Sequence, residues 1–121
     1  MNYIPRQVSD LLFDLEFVAH IDKDTKIDTS TKSVFKPNLV NHVLRFVKGE
    51  GRIKTLAEIS RIIGECRLCI EDYPKFKTLI LEKLEKSKVG IENLKITYKE
   101  DMNIVSHLQI LLESIDLFFN K

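Results

Sequence analysis

The last two-fifths of the chain, Pro74–Lys121, constrain the fold most, because their apolar residues recur at the period of an α-helix. After Asp101, the residues Ile104, Leu108, Leu111, Ile115 and Phe118 alternate steps of four and three. Val105, Leu112 and Phe119 widen that stripe into the broad apolar face of a core-facing helix. Asp101 is placed as an N-cap, its carboxylate accepting from an amide that the first turn leaves unpaired. Upstream, Tyr73, Phe76, Ile80, Leu84, Ser87, Ile91, Leu94 and Tyr98 keep a similar rhythm. Pro74 suits the first turn, where a missing N–H costs nothing. Gly90 falls inside this second pattern and is expected to weaken or bend it, by about 1 kcal/mol relative to Ala. The prediction is a long helical hairpin.

A hairpin needs a further apolar surface to cover it, and the rest of the chain offers helices. Pro5 and Arg6 lead into a predicted helix over Arg6–Ile21, with Val8, Leu11, Leu12, Leu15, Val18 and Ala19 on one face. Residues 22–36 form a polar linker rich in Asp, Lys, Thr and Ser, within which Ile27 or Val34–Phe35 can pin the chain to the body or form a brief extended segment. A second helix is predicted over Pro37–Lys48, with Leu39, Val40, Val43, Leu44 and Val47 inward and Gly49 as its C-cap. Thr55 and Glu58 have the spacing of a capping box, which opens a third helix over Thr55–Glu71. Its face carries Leu56, Ile59, Ile62, Ile63, Cys66, Cys69 and Ile70. No strand-type alternation is sustained and there is no internal repeat. The chain is therefore expected to be all-α, a single-domain bundle of four to five helices over residues 1–121.

Composition bounds the function. Hydrophobic residues at 44% and charged residues at 31% are those of a globular protein, and a net charge of +1 gives no overall attraction to nucleic acid or an anionic membrane. No apolar run approaches the roughly 20 residues that span a bilayer. Met1–Arg6 lacks the pattern of a secretory leader, so a cytoplasmic, intracellular setting is expected. Absence of Trp beside plentiful Lys, Ile, Asn and Phe suits an AT-rich coding sequence.

Each candidate for chemistry has a plainer reading. In Cys66-Arg-Leu-Cys69 the two sulfurs lie about 60° apart on a helix and both fall on the apolar stripe. Structural zinc usually takes four ligands, and His20, His42 and His107 are scattered singly. Buried core thiols are expected. Asp22–Asp28 begins like a calcium loop, but Lys26, Ile27 and Ser33 occupy positions that need a ligand, a Gly and a Glu. Gly49-Glu-Gly51-Arg52 precedes a helix yet lacks the length and the Lys-Ser/Thr ending of a phosphate-binding loop. No catalytic motif stands out, and neither an enzyme nor a cofactor is expected.

Two patterns point to partners. Phe13, Phe17 and Ile21 lie on the far side of the first helix, Val89 and Ile96 on that of the next-to-last, Ile110 and Leu117 on that of the last. Such pairs, one heptad apart on the last two helices, make an exposed apolar patch of the kind that marks a protein interface, with a homo-oligomer or a hetero-partner as occupant. The alternative is nucleic acid, contacted by Lys36, Arg45, Lys48, Arg52 and Lys54, since residues 32–54 hold six cations against one acid. Residues 75–99 hold seven lysines against three glutamates, while 2–24 and 100–121 are each net acidic, so these charges can also pair between helices or subunits.

The run Val89-Gly-Ile-Glu-Asn-Leu-Lys-Ile-Thr-Tyr-Lys-Glu-Asp101 before an Ile/Leu-periodic helix resembles a C-terminal pattern in small helical proteins of nucleocytoplasmic large DNA viruses. Arg45-Phe-Val-Lys-Gly-Glu-Gly-Arg52 and Thr55-Leu-Ala-Glu-Ile59 are similar to what precedes it there. The resemblance covers about 80 residues from Arg45 onward. It implies a virus-encoded helical protein and carries over no functional residues; taken with the association expected above, a viral structural or assembly component is the expected role.

Overall fold

The computed structural model describes residues 3–28 and 53–120, and these form an all-helical bundle. Four helices appear among them: α1 (Arg6–Ala19), α2 (Leu56–Asp72), α3 (Lys77–Thr97) and α4 (Met102–Asp116). The expected Pro37–Lys48 helix, its Gly49 cap and the Val34–Phe35 segment lie outside the described residues.

The helix boundaries follow local chemistry. The Thr55 hydroxyl accepts from the Glu58 amide at 3.1 Å. Glu58 answers one residue earlier than a standard box, its Oε1 accepting from the Lys54 amide at 3.2 Å. Asp101 caps α4, its carboxylate accepting from the Asn103 and Ile104 amides at 3.1 and 3.2 Å. Between α2 and α3 the chain does not run straight from Pro74 into an α-helix. It makes a 3₁₀ turn over Pro74–Phe76, and Tyr73 ends α2 by donating its amide to the Cys69 carbonyl at 2.8 Å.

The long helix α3 is the centre of the bundle, touching α1, α2 and α4, while α1 and α4 sit across from one another with almost no contact. Helices α3 and α4 run antiparallel, since Lys88 meets Asp116 and Lys95 meets Gln109. α1 runs parallel to α3, with Glu16 on Lys83 and the Ile21 carbonyl on Asn93. It runs antiparallel to α2, with Gln7 on Tyr73 and Asp14 near Arg61. The core between them is aliphatic: Leu15, Ile59, Ile62, Ile80, Leu84, Ile91, Leu94, Leu108 and Ile115 are fully buried. Burying each contributes about 1.5–3 kcal/mol relative to exposure.

Gly90 departs from the expectation of a weak or bent point. α3 continues through it as an α-helix, and its role is steric. A Cβ at Gly90 would stand 1.7 Å from the Val18 carbonyl oxygen and 3.2 Å from the Ile21 Cβ. The end of α1 thus rests directly on the α3 backbone, which only a residue without a side chain permits.

The chain after α1 is tied to the end of α3. Asn93 Nδ2 donates to the Ile21 carbonyl and Thr97 Oγ1 to the Lys23 carbonyl, both at 2.9 Å. The Tyr98 hydroxyl accepts from the Ile27 amide at 3.1 Å and donates to the Ile27 carbonyl at 3.3 Å. Ile27 is buried, so it does pin the start of the linker to the body. Asp28 then pairs with Thr55 in an isolated parallel bridge.

Candidate functional site

The two cysteines belong to the core. Cys66 is fully buried and Cys69 nearly so, and neither is in a disulfide. Burial out of water, then the neighbouring Cys69 sulfur, pushes the Cys66 thiol up to about 12, and burial raises Cys69 as well. A thiolate is the reactive form, so both groups are inert at neutral pH. Among the described residues no three His, Cys, Asp or Glu side chains stand together as metal ligands. His20 is exposed at the end of α1, its Nδ1 2.8 Å from the Glu16 carbonyl oxygen. Alkylation of the native thiols should run more than about a hundredfold slower than in denaturant, because it requires opening of the core. The unfolded thiols ionise at about pH 8.5 while Cys66 stays protonated to about 12, so stability should fall as pH rises between those values. Rapid native labelling of both cysteines, followed by absorbance of the released reagent, would contradict this packing.

Asp22–Asp28 is a surface turn. The Asp22 carboxylate accepts from the Asp24 amide at 2.9 Å and the Thr25 hydroxyl at 3.0 Å. The Thr25 hydrogen bond is the main reason its carboxyl lies below the usual carboxylate range. Of the residues expected to contact nucleic acid, Lys54 is exposed, and Lys36, Arg45, Lys48 and Arg52 lie outside the described residues. Two lysines of α3 turn to acids of the same chain. Lys83 Nζ is 2.9 Å from Glu16, whose carboxyl this hydrogen bond lowers. Lys88 Nζ is 2.9 Å from Asp116, a bond that raises the lysine's pKa. The pairing of opposite-signed segments therefore occurs within one molecule, between α3 and its two flanking helices.

The apolar residues left over by the stripes divide in two. On α1, Ile21 is buried at 5% exposure and does not belong to a surface patch. The reason is that α1 ends at Ala19, so helical spacing no longer governs Ile21, which folds inward beside Gly90. Phe17 is half-buried and packed against the core. Phe13 is exposed and lies with its ring 5.4 Å from that of Phe17. These three do not form one open surface.

The hairpin does. Two hydrogen bonds cross its seam, from Lys88 to Asp116 and from Lys95 Nζ to Gln109 Oε1 at 2.6 Å. Each of these four seam residues is followed by an apolar one: Val89, Leu117, Ile96 and Ile110. One step along an α-helix turns the side chain by about 100°. Because α3 and α4 are antiparallel, that turn carries all four residues to the same side, away from the core. Their exposures are 58, 64, 49 and 61% in that order. Val89 and Leu117 thus make one pair across the seam, and Ile96 with Ile110 makes another, one heptad further along.

A groove of about 320 Å³ that shares Leu117 with this face opens where the ends of α2 and α4 meet the start of α3, lined also by Arg67, Ile70, Glu71, Lys77, Leu81 and Phe118. The Arg67 guanidinium lies over the Phe118 ring at 5.7 Å, which fills one wall by a cation–π contact. No helix among the described residues is long and apolar enough to cross a membrane. The chain matches no protein family, no curated protein and no solved structure.

Proposed function

We propose that this protein works without catalysing a reaction, by holding another protein chain against the outer face of the α3–α4 hairpin. The observation that carries the reading is the placing of Val89, Ile96, Ile110 and Leu117 on one open side of a bundle whose other large aliphatic residues are mostly buried. Single exposed apolar residues are ordinary, but four arranged as two pairs on adjacent rigid helices make a surface that excludes water when covered. Rigid helices suit this, since a preformed face loses little conformational entropy on binding. The resemblance to small helical proteins of large DNA viruses would put such an association in a virion or its assembly. Binding of nucleic acid through the lysines of α3 is the weaker reading, because Lys83, Lys88 and Lys95 are already engaged by side chains of the same molecule, while Lys36, Arg45, Lys48 and Arg52 lie outside the described residues.

The test is a photo-crosslinking amino acid placed at Val89 or Ile110, with Ser60 on the exposed side of α2 as the control position. A discrete protein adduct at the hairpin positions supports the reading. A mass of twice the chain identifies a second copy, which sedimentation at micromolar concentration then confirms. Adducts no stronger than those at Ser60 would overturn it.

A further inference from the structure

We infer that the occupant of the hairpin face is a basic amphipathic helix of a different protein, an inference that rests on the association reading above. The two helices present the same sequence of chemistry outward. On α3 it is Val89, Glu92 and Ile96, and on α4 it is Ile110, Glu113 and Leu117, with identical spacing. Each glutamate stands between two apolar residues on its own helix, three residues after the first and four before the second, and both glutamates are exposed. Antiparallel pairing brings these two acids toward the middle of the face, with one apolar pair on either side of them.

The neighbouring cations offset this centre only in part. Lys88 is held in the seam by Asp116 and Glu85, whereas Lys95 donates to the neutral Gln109, which in turn donates to Glu113 at 3.4 Å. Lys86 sits toward α1, close enough to help lower the Glu16 pKa. Among the described residues no hydrogen bond or ion pair engages Glu92. Glu82 extends the acidic character toward the start of α3, while Glu85 pairs with Lys88 at 3.5 Å.

This pattern chooses among occupants. A second copy docking face to face would set Glu92 and Glu113 against the same pair, and like charges brought together at an interface are strongly disfavoured. A helix with apolar residues at i and i+7 and a Lys or Arg between them is complementary on both counts. Its apolar residues cover the two pairs, and its cation meets the two carboxylates as water is excluded.

The test uses the full-length chain, isotope-labelled for amide NMR, and three synthetic helical peptides of about 18 residues, five turns each. All share a leucine stripe at i and i+7, with Lys/Arg, Gln or Glu at the positions between. The Lys/Arg peptide is expected to shift the amides of residues 89–96 and 110–117 saturably, and to bind about tenfold or more tightly than the Gln peptide. The double variant Glu92→Arg, Glu113→Arg, whose amide spectrum reports that the fold is kept, should lose that advantage and bind the Glu peptide instead. Equal binding of all three peptides, an affinity unchanged by charge reversal, or shifts confined to other residues would overturn the inference. If the Gln or Glu peptide, or a second copy detected by concentration-dependent broadening, occupies the face, association stands and only the basic partner falls. If nothing occupies it and the crosslinker at Val89 and Ile110 captures nothing, both fall.

Discussion

Replacing Gly90 by Ala is expected to destabilise the protein by about 3 kcal/mol or more, the upper range for inserting a methyl group into a filled core. The position is mid-helix, where intrinsic propensity favours Ala by about 1 kcal/mol. Tertiary contact outweighs that preference. The new carbon would fall 1.7 Å from the Val18 carbonyl oxygen and 2.8 Å from its carbon, and both are backbone atoms that no rotamer change can move. Relief requires α1 to shift away from α3, which would loosen the contacts of Val18 and Ile21 and strain the Asn93 bond to the Ile21 carbonyl. Gly64 is the internal control. It is also within a helix, but on the exposed side of α2, with nothing within 4 Å of a Cβ placed there. Gly64→Ala should stabilise by up to about 1 kcal/mol through helix propensity alone. Urea denaturation of the two variants should therefore move the midpoint in opposite directions. A Gly90→Ala midpoint equal to or above wild type would mean that α1 does not rest on α3 as described.

The second large effect is expected within α4. Leu111→Ala should cost about 2–5 kcal/mol, as for other large-to-small changes in a packed core. Ile110→Ala, one residue away, should stay within about 0.5 kcal/mol of wild type. Leu111 is 5% exposed and Ile110 is 61% exposed, so neighbours in sequence differ by more than half the range of burial. The rotation of about 100° between successive residues puts them on different sides of the helix. Denaturation midpoints of the two variants test the orientation of α4 directly. Similar losses for both would mean that Ile110 is covered, which removes one corner of the proposed face.

Helical periodicity and helix caps are legible in the sequence itself. The alternation from Ile104 to Phe118, the Asp101 cap and the Thr55–Glu58 pair are local features, set by side chains within a turn or two of one another. The burial of the cysteines is legible in the same way, because their place on the Leu56–Ile70 stripe settles which way they point. The exposure of Val89, Ile96, Ile110 and Leu117 also follows from the angle each makes with its own stripe.

What local spacing does not contain is the relation between helices. Periodicity places Ile21 outward only if α1 continues to it; the chain leaves the helix at Ala19 and turns that side chain inward. Gly90 reads as a weak point because propensity weighs a residue against its own helix, whereas its value is the close approach of another. The polar contacts of Asn93, Thr97 and Tyr98 with residues 21–27 join positions more than 70 apart in sequence, so no window along the chain displays them. Likewise, the four exposed apolar residues belong to two separate helices. Only the antiparallel register of α3 and α4, held by Lys88 with Asp116 and Lys95 with Gln109, turns them to one side and makes a single surface of them.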